Sequence, residues 1–88
     1  MNEAQRKQAV NISRALELSR KSNDAEEAEL LMKEHLLKCG IRIDYAVIRS
    51  EKDLVCRPKN GERGRALVAG VIGDTRLIDN KPWPKELI

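Results

Sequence analysis

From Glu3 onward the apolar residues Ala4, Ala9, Ile12, Ala15, Leu16 and Leu18 fall on one half of a helical wheel. Arg6, Lys7, Arg14, Glu17, Arg20 and Lys21 share the other half, and only Val10 breaks the partition. An amphipathic helix is therefore predicted from about Glu3, where Asn2 and Gln5 have the spacing of a capping box, to a break at Ser22-Asn23. Asp24 and Glu27 repeat that spacing ahead of a second helix. Within it Ala28, Leu31, Met32, His35, Leu36 and Cys39 keep the i, i+3, i+4, i+7, i+8, i+11 order of one buried stripe. Its acids Glu26, Glu27 and Glu29 gather near the start and Lys38 lies at the end, as the macrodipole favours. Glu29 with Lys33 and Glu34 with Lys38 have i, i+4 ion-pair spacing, and Gly40 supplies a left-handed stop.

The period then changes. Ile41 to Ile48 alternates and is rich in β-branched residues, which predicts a strand with Ile43, Tyr45 and Val47 on one side. Ser50 to Gly64 carries Pro58, Asn60-Gly61 and Gly64 among charges, with Leu54 and Val55 as its apolar anchors, and reads as a loop holding at most one helical turn. Ala66 to Ile72 and Thr75 to Ile78 are apolar runs joined by Gly73-Asp74, a link that makes a tight antiparallel hairpin. Beyond Asn80 the prolines of Lys81-Pro82-Trp83-Pro84 lack ladder donors, so an extended tail is expected unless Trp83 docks. Two helices on so short a link form a hairpin whose shared apolar face needs a cover, and the strands supply it. The expected fold is α+β: a two-helix antiparallel hairpin packed on a small three-stranded antiparallel sheet. It forms one domain over residues 1–88, with 81–88 as the tail.

Composition agrees with a single small domain: 88 residues with 22 Leu, Ile and Val are enough for one compact core. Phe is absent, and Tyr45 and Trp83 are the aromatics, so stacking platforms for single-stranded nucleic acid and an aromatic-lined pocket are not expected. A formal charge of +3 in a chain that is 35% charged serves solubility first. The local basic excess is Arg49, Lys52, Arg57, Lys59, Arg63 and Arg65, interleaved with Glu51, Asp53 and Glu62. Cys39 and Cys56 lack metal-ligand spacing and read as reduced thiols of a cytoplasmic protein. No apolar run approaches a membrane span and Met1 to Arg6 has no signal-peptide apolar region, so neither membrane insertion nor secretion by that route is expected.

The residues that can carry chemistry have structural readings. His35 and Cys39 lie one turn apart on the second helix, but on its apolar stripe, where a catalytic pair has no access to substrate. Gly61-x-x-Gly64 with Arg63 and Arg65 resembles a phosphate-cradling loop, yet no helix start or Gly-Lys-Ser/Thr follows it. Asp44, Asp74 and Asp79 are the acids nearest the sheet; their spacing makes no general acid and base pair, and Asp74 belongs to its turn. No catalytic, cofactor-binding or metal-binding residue is assigned.

Several segments, in order, carry a family resemblance. Arg6-Lys7-Gln8-Ala9, Ser13-Arg14-Ala15-Leu16, Ile43-Asp44-Tyr45, Ala66-Leu67-Val68-Ala69 and above all Gly73-Asp74-Thr75-Arg76-Leu77-Ile78-Asp79-Asn80 resemble the C-terminal domain of the pantothenate synthetase (pantoate β-alanine ligase) family. The resemblance runs from about Met1 to Asn80. It implies an enzyme that condenses pantoate with β-alanine using ATP, with Mg, through a pantoyl adenylate, in the cytoplasm and as a homodimer when full length. It also implies that this chain is the lid part, inactive alone. The family's preceding nucleotide-binding domain carries a His-x-Gly-His motif and a Ser-Ser-Arg-Asn loop, neither of which occurs here. Met1-Asn2-Glu3-Ala4 takes the place of the helix start just beyond that loop. Ser50-Glu51-Lys52-Asp53-Leu54 and the basic stretch to Arg65 depart from the family's Asp-Pro-Glu-Thr-Leu-like turn, so no role transfers to them. The partner implied is the ligase's own N-terminal nucleotide-binding domain. Two readings compete: a small RNA-binding module using Arg49, Lys52, Arg57, Lys59, Arg63 and Arg65 on phosphates, and a protein-interaction module that pairs through a sheet edge.

Overall fold

The structure, a computed structural model, describes residues 3–22, 24–52, 54–58 and 62–83. Helix α1 spans Glu3–Ser19 and helix α2 spans Ala25–Lys38; strands β1 (Arg42–Ser50), β2 (Gly64–Ile72) and β3 (Thr75–Trp83) follow. The strands form one antiparallel sheet in the order β1-β2-β3. Both helices pack on the same face of it, as the α+β hairpin-on-sheet reading expects.

Helix packing follows the apolar stripes. Ile12, Ala15 and Leu16 of α1 and Ala28, Met32 and Leu36 of α2 are buried, and they meet Ala46, Ile48, Ala66, Val68 and Ile72 of the sheet. Val10, the residue that broke the partition, is 57% exposed. Asp24 caps α2 by accepting from the Glu26 amide at 3.1 Å. The reciprocal half of the capping box does not form, because the Asp24 amide donates to Ser22 Oγ instead. The cap expected at Asn2 lies outside the described residues. The far end of α2 is a Schellman motif: Gly40 N–H donates to Leu37 O and Ile41 N–H to Leu36 O, with Gly40 at φ +73°. Ile41, buried at the next position, completes the apolar contact that accompanies this motif.

Two further sequence expectations about the sheet change. Ile43, Tyr45 and Val47 do not share a side, because the register shifts between Ile43 and Tyr45, with Ile43 opposite Gly70 and Tyr45 opposite Ala69. Asp44 is the extra residue of a β-bulge, which inverts the alternation. Ile43 therefore faces the helices, Ala46, Ile48 and Ser50 take over that face beyond the bulge, and Tyr45 and Val47 face away. The second change is at the end of the chain. Residues 81–83 are the last part of β3 rather than a tail, with Pro82 opposite Arg65 and Trp83 opposite Gly64. An edge strand tolerates a proline because its outward amide has no ladder partner to lose. Trp83 is 3% exposed and donates its indole N–H at 2.7 Å to Ser19 O, a carbonyl at the end of α1 whose other bond is the long one from Ser22 N–H at 3.4 Å. Lys81 adds an ion pair to Glu17 of α1. The Gly73-Asp74 hairpin forms as expected, with positive φ at Gly73 and not at Asp74, the φ pattern of a II′ turn.

Candidate functional site

The most concentrated polar group of the molecule surrounds Glu29 on α2, whose side chain is 4% exposed. One oxygen, Oε2, accepts from the Ile48 backbone N–H at 2.8 Å and from Arg49 Nη1 at 2.9 Å; the other, Oε1, accepts from Arg57 Nη2 at 2.6 Å. Arg49 Nη1 also donates to Ile48 O at 2.8 Å. Both backbone groups that Ile48 turns away from β2 are thus held by side chains, and the β1 edge is closed where α2 crosses it. Arg57 extends the group into the β1–β2 connection, which is held further by Ser50 N–H to Cys56 O at 2.6 Å and Leu54 N–H to Ser50 O at 2.9 Å. Burial pushes the Glu29 carboxyl up, but the hydrogen bonds from Arg57, Ile48 and Arg49 outweigh it and hold the group below the ordinary glutamate value. The Arg57 guanidinium is raised in turn by Glu29.

The sequence spacing offers Glu29 as an i, i+4 partner of Lys33, whereas the structure pairs it with Arg49, Arg57 and the Ile48 amide. Its position one residue after Ala28 looks like the solvent side of a narrow stripe, but α2 is covered over a wider arc because β1 passes beside it. A signal was present: Glu29 is the acid closest to the stripe, and a strand with arginine at its end follows.

The other sequence candidates are dispersed. His35 Nε2 and Cys39 Sγ are in contact at 3.7 Å, both half-buried. Burial, then the charges of Arg14 and Lys38, lowers the imidazole below its ordinary value, so His35 is neutral at pH 7. Gly64 is the first residue of β2 rather than part of a phosphate loop; a Cβ there would meet Arg49 O and Pro58 Cγ at 2.9 Å. Gly61 and Lys59 lie outside the described residues. Asp44 is the bulge residue and pairs with Arg76 Nη2 at 2.6 Å across the sheet. Asp74 sits in the exposed hairpin turn, and Asp79 accepts from the Asn80 amide at 2.8 Å. Of the six basic residues of the middle segment, Arg49 and Arg57 are bound to Glu29 and Arg65 to Asn80, so these do not line up as a stripe for phosphates. Two surface depressions, about 130 Å³ beside Ala9, Ile12 and Leu77 and about 250 Å³ beside Arg42, Asp44 and Val71, are below the usual size for a drug-sized ligand.

The likeness to known proteins extends over nearly all of this architecture. A family model described as pantoate-beta-alanine ligase matches residues 1–82. Pantothenate synthetase of Rhodopirellula baltica is 33% identical over 86 residues, covering 92% of this chain and 30% of the relative. That of a Nocardioides species is 41% identical over 85 residues, covering 89% and 25%, and that of Xylella fastidiosa is 40% identical over 85 residues, covering 86% and 29%. The chain therefore spans about a quarter to a third of the length of these relatives. With α1, α2, β1, β2 and all of β3 but Trp83 inside the matched region, this chain belongs to the pantoate-beta-alanine ligase family.

Proposed function

We propose that this chain is the closing module of a pantoate β-alanine ligase, the part that folds down on an adenylate-forming domain. In the reaction so assigned, the pantoate carboxylate attacks the α-phosphorus of ATP and expels pyrophosphate. The amine of β-alanine then attacks the acyl adenylate and releases AMP. The observation that carries this reading is the family match over residues 1–82 by a chain only 25–30% as long as its relatives. A module of that size, without a nucleotide-binding motif, contributes shape, charge and exclusion of water. An acyl adenylate is lost to hydrolysis while the site stays open, and closure shelters it until the amine arrives. Adenylation belongs to the other part of the enzyme, and no side chain of this chain takes a catalytic role.

The described residues bring no three of His, Cys, Asp and Glu together. No step proposed for this chain runs through the Mg²⁺ that accompanies ATP. We place the ligase in the cytoplasm and read it as a homodimer when full length; no described helix is long and apolar enough to cross a membrane. The RNA-binding reading is not favoured, since Glu29 engages two of its six cations.

The test is a chimera in which this chain replaces the matching segment of the Xylella fastidiosa relative. Pantothenate formed per pyrophosphate released should stay near one. A folded chimera that releases pyrophosphate and forms no pantothenate would show that this chain does not close that site.

A further inference from the structure

The group around Glu29 is asymmetric. Oε2 is held twice from inside the fold, by the Ile48 amide and by Arg49, which also donates to Ile48 O. Oε1 is held by Arg57, whose side chain is 52% exposed against 26% for Arg49. Arg57 can therefore leave and the carboxylate still keeps two donors and a counter-ion. The segment that carries Arg57, residues 54–58, is itself strained. Leu54 closes a single turn by donating its amide to Ser50 O at 2.9 Å, and it does so at φ +59°, in the left-handed region that costs any residue with a side chain free energy. Leu54 and Val55 are 50% and 72% exposed, so their burial offsets little of that cost. The segment is held down by Cys56 O on the Ser50 amide, by Pro58 set over Gly64, and by the Arg57 pair. Asp24 and Glu26, exposed at the start of α2, add a longer-range pull on Arg57.

We propose that residues 54–58 form an ionic strap that opens by itself, governed by charge screening at Arg57, while α2, the sheet and the Glu29–Arg49 pair stay in place. In the closed state Arg57 is bound and Leu54 is strained. In the open state Leu54 relaxes to an ordinary backbone and the guanidinium returns to water. The attraction that closes the strap is thus opposed by the backbone cost that opens it, which leaves the two states close in free energy. Ionic strength shifts the balance. Attraction at a half-exposed pair, and from surface carboxylates such as Asp24 and Glu26, is damped beyond a Debye length of about 8 Å at physiological salt, and the buried Glu29–Arg49 contact is damped far less. Salt therefore weakens the latch selectively. The strap needs only this chain, so it stands or falls apart from the ligase reading and is observed without pantoate, β-alanine or ATP.

Amide hydrogen exchange in the 88-residue chain tests the strap. The Ser50 N–H donates to Cys56 O and reports the strap, whereas Val68, in the middle of β2, reports the domain as a whole. In the wild type, Ser50 should exchange faster than Val68 and almost independently of urea below the unfolding transition, since opening so short a segment exposes little surface. Raising NaCl from about 20 mM to about 500 mM should speed Ser50 about threefold and leave Val68 unchanged. Arg57→Gln should speed Ser50 about tenfold relative to Val68 and abolish the salt effect. Leu54→Gly, which accepts the left-handed turn without strain, should slow Ser50 exchange about threefold, where glycine in a slack loop would speed it. Ser50 exchanging at the Val68 rate, a salt effect that survives Arg57→Gln, or exchange in Leu54→Gly that is unchanged or faster would each overturn the proposal.

Discussion

A carboxylate with 4% of its side chain exposed survives in the fold because every direction it faces holds a donor. Removing the charge of Glu29 leaves the Ile48 amide poorly matched and two guanidinium groups without their counter-ion. Glu29→Gln should lower stability by about 2 to 3 kcal/mol at pH 7, less than a fully enclosed pair loses because Arg57 remains half in water. The sign of the pH effect follows from the depressed carboxyl. Its contribution is complete above the ordinary glutamate value of 4.5 and is lost as pH falls through the lower folded value. Urea midpoints of wild type and Glu29→Gln should therefore converge as pH drops from 5 toward 3; parallel curves would show that the carboxylate is not held as described. His35 works in a higher window. Its folded value lies below 6.5, so the unfolded chain binds the proton more tightly and stability declines as pH falls below about 6.5. His35→Gln should remove that upper decline and leave the lower one. A decline that survives the substitution would have to come from another group.

At the scale of elements, two junctions decide how the pieces meet. Gly40 turns the chain out of α2 at φ +73°, and a Cβ there meets nothing within 4 Å, so the left-handed backbone is the whole cost of a side chain. Gly40→Ala should cost about 1 to 2 kcal/mol, and Gly40→Asn less, by thermal or urea denaturation. The other junction is Trp83, which ties the end of β3 to the end of α1. Trp83→Phe keeps an aromatic ring but leaves the Ser19 carbonyl with only its 3.4 Å bond from Ser22 N–H, at about 1 kcal/mol; Trp83→Ala also empties the site and should cost about 3 to 5 kcal/mol. If both variants unfold with the wild-type midpoint, β3 ends in effect at Asn80. Trp83 is also the single tryptophan, so its fluorescence follows this junction directly.

Across the whole molecule, the features that local chemistry dictates were legible in the sequence, and those set by contacts between elements were not. The helix stripes, the Asp24 cap, the Gly40 stop and the Gly73-Asp74 turn each depend on a few adjacent residues, and each is present. The bulge at Asp44, the burial of Glu29 and the docking of Trp83 depend on partners 19 to 64 residues away, which no local period records. The same distinction governs ligand binding by the isolated chain. Its arginines are numerous, but Arg49 and Arg57 are bound to Glu29, and Arg76 to Asp44 on the far face of the sheet. Binding a triphosphate requires several cations or backbone donors converging on one place, and here the fold has already spread them among carboxylates. The 88-residue chain should therefore give no saturable heat on titration with ATP and Mg²⁺ up to about 1 mM, a concentration at which a site worth roughly 4 kcal/mol would be half filled. If heat appears, Arg76→Ala and Arg63→Ala locate its source, since the first touches the sheet face and the second the segment leading into β2. Saturable binding lost in either variant would make this module a direct contributor to nucleotide binding and to adenylation itself, rather than a cover that acts after pyrophosphate has left.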